Sequence, residues 1–279
     1  MKYPLRLLSA STRQRAEKDQ LCHAHESSAT CTRCSTGKID GIANPPTSVG
    51  MRSQKLYFDL FLGENRYFTK HRGWISGSGT SRAILGGTPQ LELPEPTEPV
   101  PAGDFIADPD AQMHYFAVDR SGTLAWDRST FSYFDVDAHI VELIPASVSD
   151  AFKAHLRSVG VSYLIAGGDE QLDMAEAVRK IGAIFDTDEI ILGGGATLNW
   201  SMIRDGLCDE VSLVLMPIAD GGENGTNSLF EANEKFSAPV PIAFSLKAVE
   251  PLEDGSVWLR YDVQGPVSDD EAPPASASV

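Results

Sequence analysis

Hydrophobic positions in the middle of the chain follow two alternating patterns. Short, nearly continuous apolar runs indicate buried strands, and longer stretches with apolar residues three or four positions apart indicate amphipathic helices. Because the two kinds of element alternate, the pattern predicts a mostly parallel sheet that is covered by helices on both faces. The predicted strands are residues 73–77, 113–118, 139–143, 161–166, 190–192 and 211–216.

Helical spacing accounts for most segments between these strands. Residues 54–68 and 197–207 each carry apolar residues at helical intervals. Ser147 or Ser149 caps a third predicted helix, and Gly160 ends it. A fourth helix has its apolar residues at i, i+4, i+7 and i+11, and these are Met174, Val178, Ile181 and Phe185.

The two ends of the chain differ from this central region. Residues 241–249 and 256–263 are strand-like and are joined by Glu253-Asp254-Gly255, a good hairpin turn. The tail, residues 266–279, is rich in Pro, Ser, Ala and acidic residues, and its composition predicts disorder.

We predict that one main domain spans residues 51–265 and contains an irregular Pro/Glu-rich excursion at residues 86–103. Residues 1–50 are poorly readable, although residues 4–10 could form a first strand.

Glycines occur where two of the predicted strands give way to helices. Gly193, Gly194 and Gly195 follow one strand, and Gly77 ends another. Glycine at such a turn lets a ligand approach the backbone, and the free N–H groups at the start of the next helix favour a phosphate. Glycine also serves simply to make a tight connection, so the glycines by themselves leave ligand binding open.

A third turn, Asp119-Arg120-Ser121, follows the strand at residues 113–118. In a dinucleotide site an acid here would accept a hydrogen bond from a ribose 2′-hydroxyl, whereas an arginine would favour a 2′-phosphate. Both residue types are adjacent, so the turn alone does not distinguish NADH from NADPH, and a plain charged turn is an equal alternative.

Charge narrows the range of partners. The formal net charge is −16 and the sequence pI is near 4.7, which argues against a nucleic-acid partner. No apolar run is long enough for a membrane helix or a secretion signal, so we expect a cytoplasmic protein.

The cysteines are too few for a disulfide scaffold. Cys31 and Cys34 form one CxxC pair with His23 and His25 nearby. A single pair is a weak indication of zinc, and we expect no metal site.

The central motif resembles a known family. Gly194-Gly195-Ala196-Thr197-Leu198-Asn199, followed by Gly206-Leu207, Asp209-Glu210-Val211 and Pro217, is similar to the signature of the reductase domain of the riboflavin-pathway deaminase–reductases, within the dihydrofolate-reductase-like superfamily. The resemblance extends over residues 54–264 and includes Val118-Asp119-Arg120-Ser121-Gly122 and Trp258-Leu259-Arg260-Tyr261.

The resemblance implies a three-layer α/β/α sandwich around a mixed, mostly parallel sheet, NADPH as hydride donor, and a homodimer. It implies a phosphoribosylated aminopyrimidine substrate whose ribose is reduced to a ribityl chain. It places the pyrophosphate of the cofactor on one set of residues, Gly194, Gly195, Ala196, Thr197 and Leu198. The opposite wall of the cleft would be Gly77 and Thr80, and Arg120 with Ser121 would favour the 2′-phosphate. Asp119 is a further candidate cofactor contact, and Asn199 is a candidate substrate contact.

Two departures from the family concern the substrate side. The family has a Ser-Leu-Asp-Gly-Lys-like loop at its active site. Residues 35–41 are the nearest match in this chain, and Thr36 stands there in place of the expected acid. The family also commonly has a glutamate directly before the glycine pair, and this chain has Gly193 at that position. Thr36 is therefore a candidate substrate contact, and Lys38 and Asp40 are the candidate catalytic groups. A reductase of the same fold that acts on a pterin or a small carbonyl compound is one alternative. A non-catalytic dinucleotide-binding or assembly protein is another.

Overall fold

The computed structural model describes residues 26–34, 48–64, 66–85, 93–133, 135–169, 171–218, 228–233 and 238–267. The helices are α1 (Ser48–Phe61), α2 (Ser78–Ile84), α3 (Asp150–Ser158), α4 (Met174–Phe185) and α5 (Ala196–Arg204). The strands are β1 (Glu26–Cys34), β2 (Gly73–Gly77), β3 (His114–Val118), β4 (Thr130–Tyr133), β5 (Val136–Ile144), β6 (Ser162–Ile165), β7 (Glu189–Gly194), β8 (Glu210–Met216), β9 (Ile242–Pro251) and β10 (Val257–Pro266).

The described strands form one mixed sheet in the order β4-β5-β3-β2-β7-β1-β8-β10-β9, with β6 also paired to β5. All pairs among β1, β2, β3, β5, β6, β7 and β8 are parallel. Antiparallel pairing is found at the two margins, where β4 joins β5 and where β10 joins both β8 and β9. The predicted α/β/α sandwich around a mostly parallel sheet is confirmed.

Two apolar cores fill the space between the sheet and the helices on its two faces. On one face, α4 and α5 contribute buried side chains such as Ile181 and Met202. On the other face, α1 and α3 contribute Phe58 and Phe152. The α3 cap is the second of the two predicted serines, since the backbone N–H of Phe152 donates to Ser149 Oγ at 3.2 Å.

The N-terminal segment contains a strand that the hydrophobic pattern did not predict. β1 lies in the interior of the sheet, between β7 and β8, and runs parallel to both. Its sequence, Glu-Ser-Ser-Ala-Thr-Cys-Thr-Arg-Cys, has few apolar residues, so periodicity gives no strand signal there. The sheet therefore begins before residue 51. The strand that we expected at residues 4–10 lies outside the described residues, as do Cys22, His23 and His25.

The first helix lies earlier than predicted. We expected a helix over residues 54–68, but α1 ends at Phe61. Gly63 follows it, and a Cβ atom at this position would lie only 2.9 Å from the Asp59 backbone, so only glycine fits the turn that closes the helix. The predicted strands and the later helices agree with the structure to within a few residues. β4 is an addition, because its four residues alternate between exposed and half-buried positions and are too short to show a pattern.

Other expectations concern features away from the sheet. The described part of the Pro/Glu-rich excursion, residues 93–103, contains no helix or strand. No helix in the described part of the chain has the length and hydrophobicity that crossing a membrane requires. Within the described ranges, no three His, Cys, Asp or Glu side chains come together as metal ligands. Cys31 and Cys34 belong to β1.

A buried carboxyl group lies at the antiparallel margin of the sheet. Glu210, on β8, has a fully buried side chain and accepts a hydrogen bond from Lys247 Nζ at 2.6 Å. Lys247 also pairs with Asp262 at 3.0 Å. Burial raises the pKa of Glu210 to about 7, because the loss of hydration outweighs the attraction of Lys247 and Arg260. The proton that Glu210 retains in the folded state makes the stability of this margin depend on pH.

We predict that Glu210→Gln removes this dependence. The folded-state pKa lies above that of the unfolded chain, so the stabilising contribution is complete below about pH 4.5 and is lost as the pH rises through about 7. Between pH 5 and pH 8 the free energy of unfolding of the variant should gain about 3 kcal/mol relative to the unaltered protein. Urea unfolding at several pH values measures this. Glu253→Gln, at an exposed turn, is the control. If the difference in unfolding free energy between Glu210→Gln and the unaltered protein stays constant with pH, Glu210 does not have a raised pKa.

Candidate functional site

The parallel strands bring several loops to one edge of the sheet. β2, β3, β6 and β7 all belong to the parallel part, so the residues that follow their carboxyl ends lie at the same edge. From β2 the chain continues through α2 to β3 on one side, and from β7 it continues through α5 to β8 on the other. The boundary between β2 and β7 is therefore a topological switch point, where open α/β sheets bind ligands.

The two predicted glycine turns face each other at this boundary. A Cβ atom on Gly77 would lie 3.7 Å from Leu198 Cβ and 3.9 Å from the Gly194 carbonyl oxygen. A Cβ atom on Gly195 would lie 3.8 Å from Thr80 Oγ1. The structure thus brings Gly77, Thr80 and the residues from Gly194 to Leu198 into contact across this boundary, and we call the surface where the two turns meet the cleft.

The cleft wall formed by β7 and α5 presents backbone N–H groups. Gly195 is the N-cap of α5 and makes no side-chain capping hydrogen bond, so the first N–H groups of the helix have no partner within it. Gly194 has φ +94°, a conformation that favours glycine, and its peptide bond to Gly195 is cis. These N–H groups and the positive end of the helix dipole are suited to a phosphate.

Asn199 supports this turn from inside the protein. Its side chain is buried and donates from Nδ2 to the Leu229 carbonyl oxygen at 3.2 Å. A Cβ atom on Gly194 would lie 3.5 Å from Nδ2 of this amide. Among the described residues, buried Asn199 Oδ1 has no hydrogen-bond partner. Asn199 therefore packs against the glycine turn, and its predicted contact with substrate stays a prediction.

Gly193 is a bulged residue. β2 pairs Ile75 with Leu192 and then Ser76 with Gly194, so Gly193 has no opposite partner on β2. It is exposed, and a Cβ atom there would lie 3.0 Å from Ser76 Oγ and 3.2 Å from Trp74 Cδ1. A glutamate at this position would require these neighbours to shift, which gives a physical reason why this chain has glycine where the family commonly has the acid.

Asp119 organises the third loop. Its carboxylate accepts hydrogen bonds from the backbone N–H groups of Ser121 at 3.1 Å, Thr123 at 2.5 Å and Leu124 at 2.8 Å. Only 1% of the residue is exposed, which leaves it almost no surface for a ligand. We had expected Asp119 to accept a hydrogen bond from a ribose hydroxyl. The structure corrects this expectation, because both carboxylate oxygens already bind the loop that presents Arg120 and Ser121.

Charges around this loop are partly buried. Burial and the nearby Asp119 charge raise the pKa of Glu142 well above its usual value. The indole of Trp126 donates a hydrogen bond to Glu142. Burial lowers the pKa of Arg120, and the charge of Asp205 partly offsets this effect. Arg120 is half-buried and Ser121 is exposed.

A cavity of about 700 Å³ lies beside this loop, at the end of α5 that is away from the glycine turn. It lies between the Arg120 loop, the Gly167-Gly168 turn after β6, the start of α4 and the last turn of α5. Its volume suits a small ligand. Arg120 was predicted from its turn, but Ser201 and Arg204 were not, because a polar residue on a helix gives no sign in the sequence of facing a cavity. Arg82 was also missed, and it links α2 to the Asp119 loop through Thr123 Oγ1 at 2.9 Å.

The predicted substrate groups follow β1. Thr36, Lys38 and Asp40 lie outside the described residues. β1 runs parallel to β7 and ends at Cys34, so the chain leaves this strand at the same edge as the glycine turns.

The described residues fit a nicotinamide dinucleotide. The cleft offers a glycine wall that a larger side chain would fill, a helix start with available N–H groups, and an adjoining cavity with two arginines. Gly77, Thr80 and the Gly194–Leu198 turn would hold the phosphates, and Arg120 with Ser121 would lie toward the ribose end.

Comparison with known proteins supports this geometry. The RibD C-terminal domain matches residues 99–257, which is more than half of the chain. The chain belongs to the RibD C-terminal domain family. The resemblance that the central motif predicted is therefore confirmed. No curated protein sequence matches the chain.

Solved structures share the fold at low identity. A pyrimidine reductase-like protein from Corynebacterium diphtheriae is 15% identical, with a TM-score of 0.50 over 91% of this chain and 99% of that chain. RibD from Acinetobacter baumannii, form 2, is 16% identical, with a TM-score of 0.53 over 90% of this chain and 61% of that chain. The present chain thus spans about three fifths of that RibD.

We predict that Asp119→Ala destabilises the protein by about 2–4 kcal/mol, because three N–H groups lose their acceptor and one of them, on Leu124, is buried. Asp119→Asn keeps one acceptor oxygen, so its stability should lie between those of the unaltered protein and of Asp119→Ala. Chemical denaturation measures both variants. Asp127→Ala, an exposed acid bonded to the adjacent Arg128, is the control and should leave stability unchanged. If Asp119→Ala unfolds like the unaltered protein, the carboxylate does not hold the loop.

Proposed function

We propose that the protein is an NADPH-dependent reductase that converts 5-amino-6-(5-phosphoribosylamino)uracil, or its diaminopyrimidine analogue, to the ribityl compound. The observation that carries this proposal is the meeting of the two glycine turns at the switch point between β2 and β7, in a chain of the RibD C-terminal domain family. Two solved structures that share the fold are named a pyrimidine reductase-like protein and RibD, and these names support the proposal.

The protein's part in this reaction is to bind and orient. NADPH supplies the hydride when bound. The N–H groups from Gly195 to Leu198 hold the pyrophosphate, and Gly77 with Thr80 forms the opposite wall. Arg120 and Ser121, fixed by Asp119, face the ribose end and favour a 2′-phosphate.

The substrate side rests on groups that follow β1. Lys38 is proposed to contact an anionic or carbonyl oxygen of the substrate, and Asp40 is proposed as an acid near the ribose. Thr36 and Asn199 are proposed as further polar contacts. The reductase unit is proposed to extend from β1 to residue 265, because β1 lies between two of its central strands.

Gly193 favours a second candidate within the same chemistry. At this exposed bulge the chain presents no carboxylate toward the cleft, and Ser76 and Trp74 occupy the adjacent space. A reductase of the same fold that acts on a pterin or a small carbonyl compound fits a site without this acid. A non-catalytic dinucleotide-binding protein would keep the cofactor cleft and lack turnover.

NADPH oxidation tests the proposal through the near-ultraviolet absorbance of the cofactor. We expect turnover with the phosphoribosylaminopyrimidine and not with pterins or simple carbonyl compounds.

Gly195→Ala should weaken NADPH binding about tenfold or more, because the added methyl group occupies the cleft. Its nearest protein atom is 3.8 Å away, so stability should fall by no more than about 1 kcal/mol, as expected for a changed helix cap. Tight NADPH binding without turnover of any compound would favour the non-catalytic protein.

A homodimer in the cytoplasm completes the proposal. Strand β9 ends the described sheet order, pairing there only with β10, and it exposes Phe244, Leu246 and Val249, whose exposed fractions are 38%, 58% and 53%. A contiguous apolar surface at a sheet margin is typical of an interface.

We predict that Leu246→Lys shifts the protein from dimer to monomer in analytical ultracentrifugation, because it places a charge in the proposed apolar interface. Ile84→Lys, at an exposed apolar residue on α2, is the control and should leave the dimer intact. A monomeric unaltered protein, or a Leu246→Lys variant that stays dimeric, would contradict the proposed interface.

A further inference from the structure

The cavity beside α5 contains more charge than the proposed cofactor contacts account for. Its lining includes two arginines, Arg120 and Arg204. It also includes three acids, Asp169, Asp173 and Asp205. Asp173 is engaged as the N-cap of α4, where it accepts a hydrogen bond from the Glu176 N–H at 3.0 Å. Asp205 forms an ion pair with Arg204, which lines the same cavity.

Arg204 and Asp205 form a close, half-buried pair at the end of α5. Arg204 Nε donates to Asp205 Oδ1 at 2.7 Å, and Nη2 lies 2.5 Å from the same oxygen. The exposed fractions of the two side chains are 30% and 43%. Asp205 also attracts Arg120, on the opposite loop. One carboxylate therefore acts on two guanidinium groups across the cavity.

The position of this pair relates it to the glycine turn. Gly195 caps the start of α5 and Arg204 is its last residue, so the two lie about 13 Å apart along one helix axis. A ligand whose pyrophosphate lies at the start of α5 can thus extend along the helix toward the arginines. A phosphate monoester carries more charge than a carboxylate and has three acceptor oxygens, which suit two guanidinium groups.

We propose that Arg204 joins Arg120 in binding a phosphate monoester on the ribose of a bound nucleotide, and that Asp205 competes with this phosphate for both arginines. The inference rests on the proposed function, since it concerns the ribose end of the same ligand. It assigns selectivity for the phosphorylated nucleotide to the end of α5 as well as to the Arg120 loop. Asp205 moderates the affinity, because the phosphate must displace it from Arg204.

Isothermal titration of the full chain with two nucleotides tests this assignment. Adenosine 2′,5′-bisphosphate and adenosine 5′-monophosphate differ only in the 2′-phosphate, so their affinity ratio reports on the arginines. Arg204→Gln should weaken binding of the bisphosphate about tenfold or more and change binding of the monophosphate less than about twofold. Asp205→Asn should strengthen binding of the bisphosphate about fivefold, because the competing charge is removed.

The chain provides a matched control. Asp127 and Arg128 form an adjacent acid–arginine pair at 2.8 Å, exposed and outside the cavity lining, so Arg128→Gln should change neither affinity. Arg204→Lys, which keeps the charge without the planar fork, should lose part of the preference and guards against a misfolded Arg204→Gln variant.

The outcomes separate this inference from the proposed function. Variants of Arg204 and Asp205 that alter both affinities equally, or neither, would overturn the inference while leaving nucleotide binding in place. Equal affinity of the unaltered protein for the two nucleotides would overturn it as well. Failure of the unaltered protein to bind NADPH and both adenosine nucleotides would overturn the proposed function together with the inference.

Discussion

The candidate site depends on how closely two backbone turns approach each other at the boundary between β2 and β7. Strand pairing fixes their separation, since Ser76 pairs with Gly194 directly before the turns begin. Glycines occupy both sides of the contact, and a Cβ atom added to Gly77 or Gly195 would sit within 4 Å of the opposite wall. The bulge at Gly193 changes the register at this point, which places Gly194 opposite Ser76 and leaves Gly193 exposed. The walls of the cleft are therefore built by the sheet itself.

Local charge arrangement explains how a protein with a net charge of −16 can present a site for an anion. Asp119 is bound within its own loop by three backbone N–H groups, and burial near Asp119 raises the pKa of Glu142 and so disfavours its charged form. Neither acid therefore directs its charge toward the cleft. The site offers an anion N–H donors at the start of α5 and two arginines at the cavity, beside three acids of the same lining, so the net charge of the whole chain does not determine the character of the site.

The hydrophobic pattern predicted most of the fold because most strands of the parallel sheet are buried on both faces and are consequently apolar. It failed at β1, whose polar sequence occupies an interior position, and at β4, which is too short for a period to show. The glycine turns were predictable because glycine at the end of a strand has a direct physical meaning. The role of Asp119 was not, because its partners are backbone groups that only the folded loop brings within reach. Arg204 was missed for a similar reason, since nothing in the sequence of α5 indicates which helix residues line the cavity.

A crystal structure of the complex with NADPH would test the central claim most directly. We predict that the pyrophosphate lies over the meeting of the two glycine turns, bound by N–H groups at the start of α5, with the adenosine end in the cavity beside Arg120. We also predict that the nicotinamide ring lies toward the chain that follows β1. A nucleotide bound away from the boundary between β2 and β7, or a cleft closed by side chains in the complex, would contradict the account.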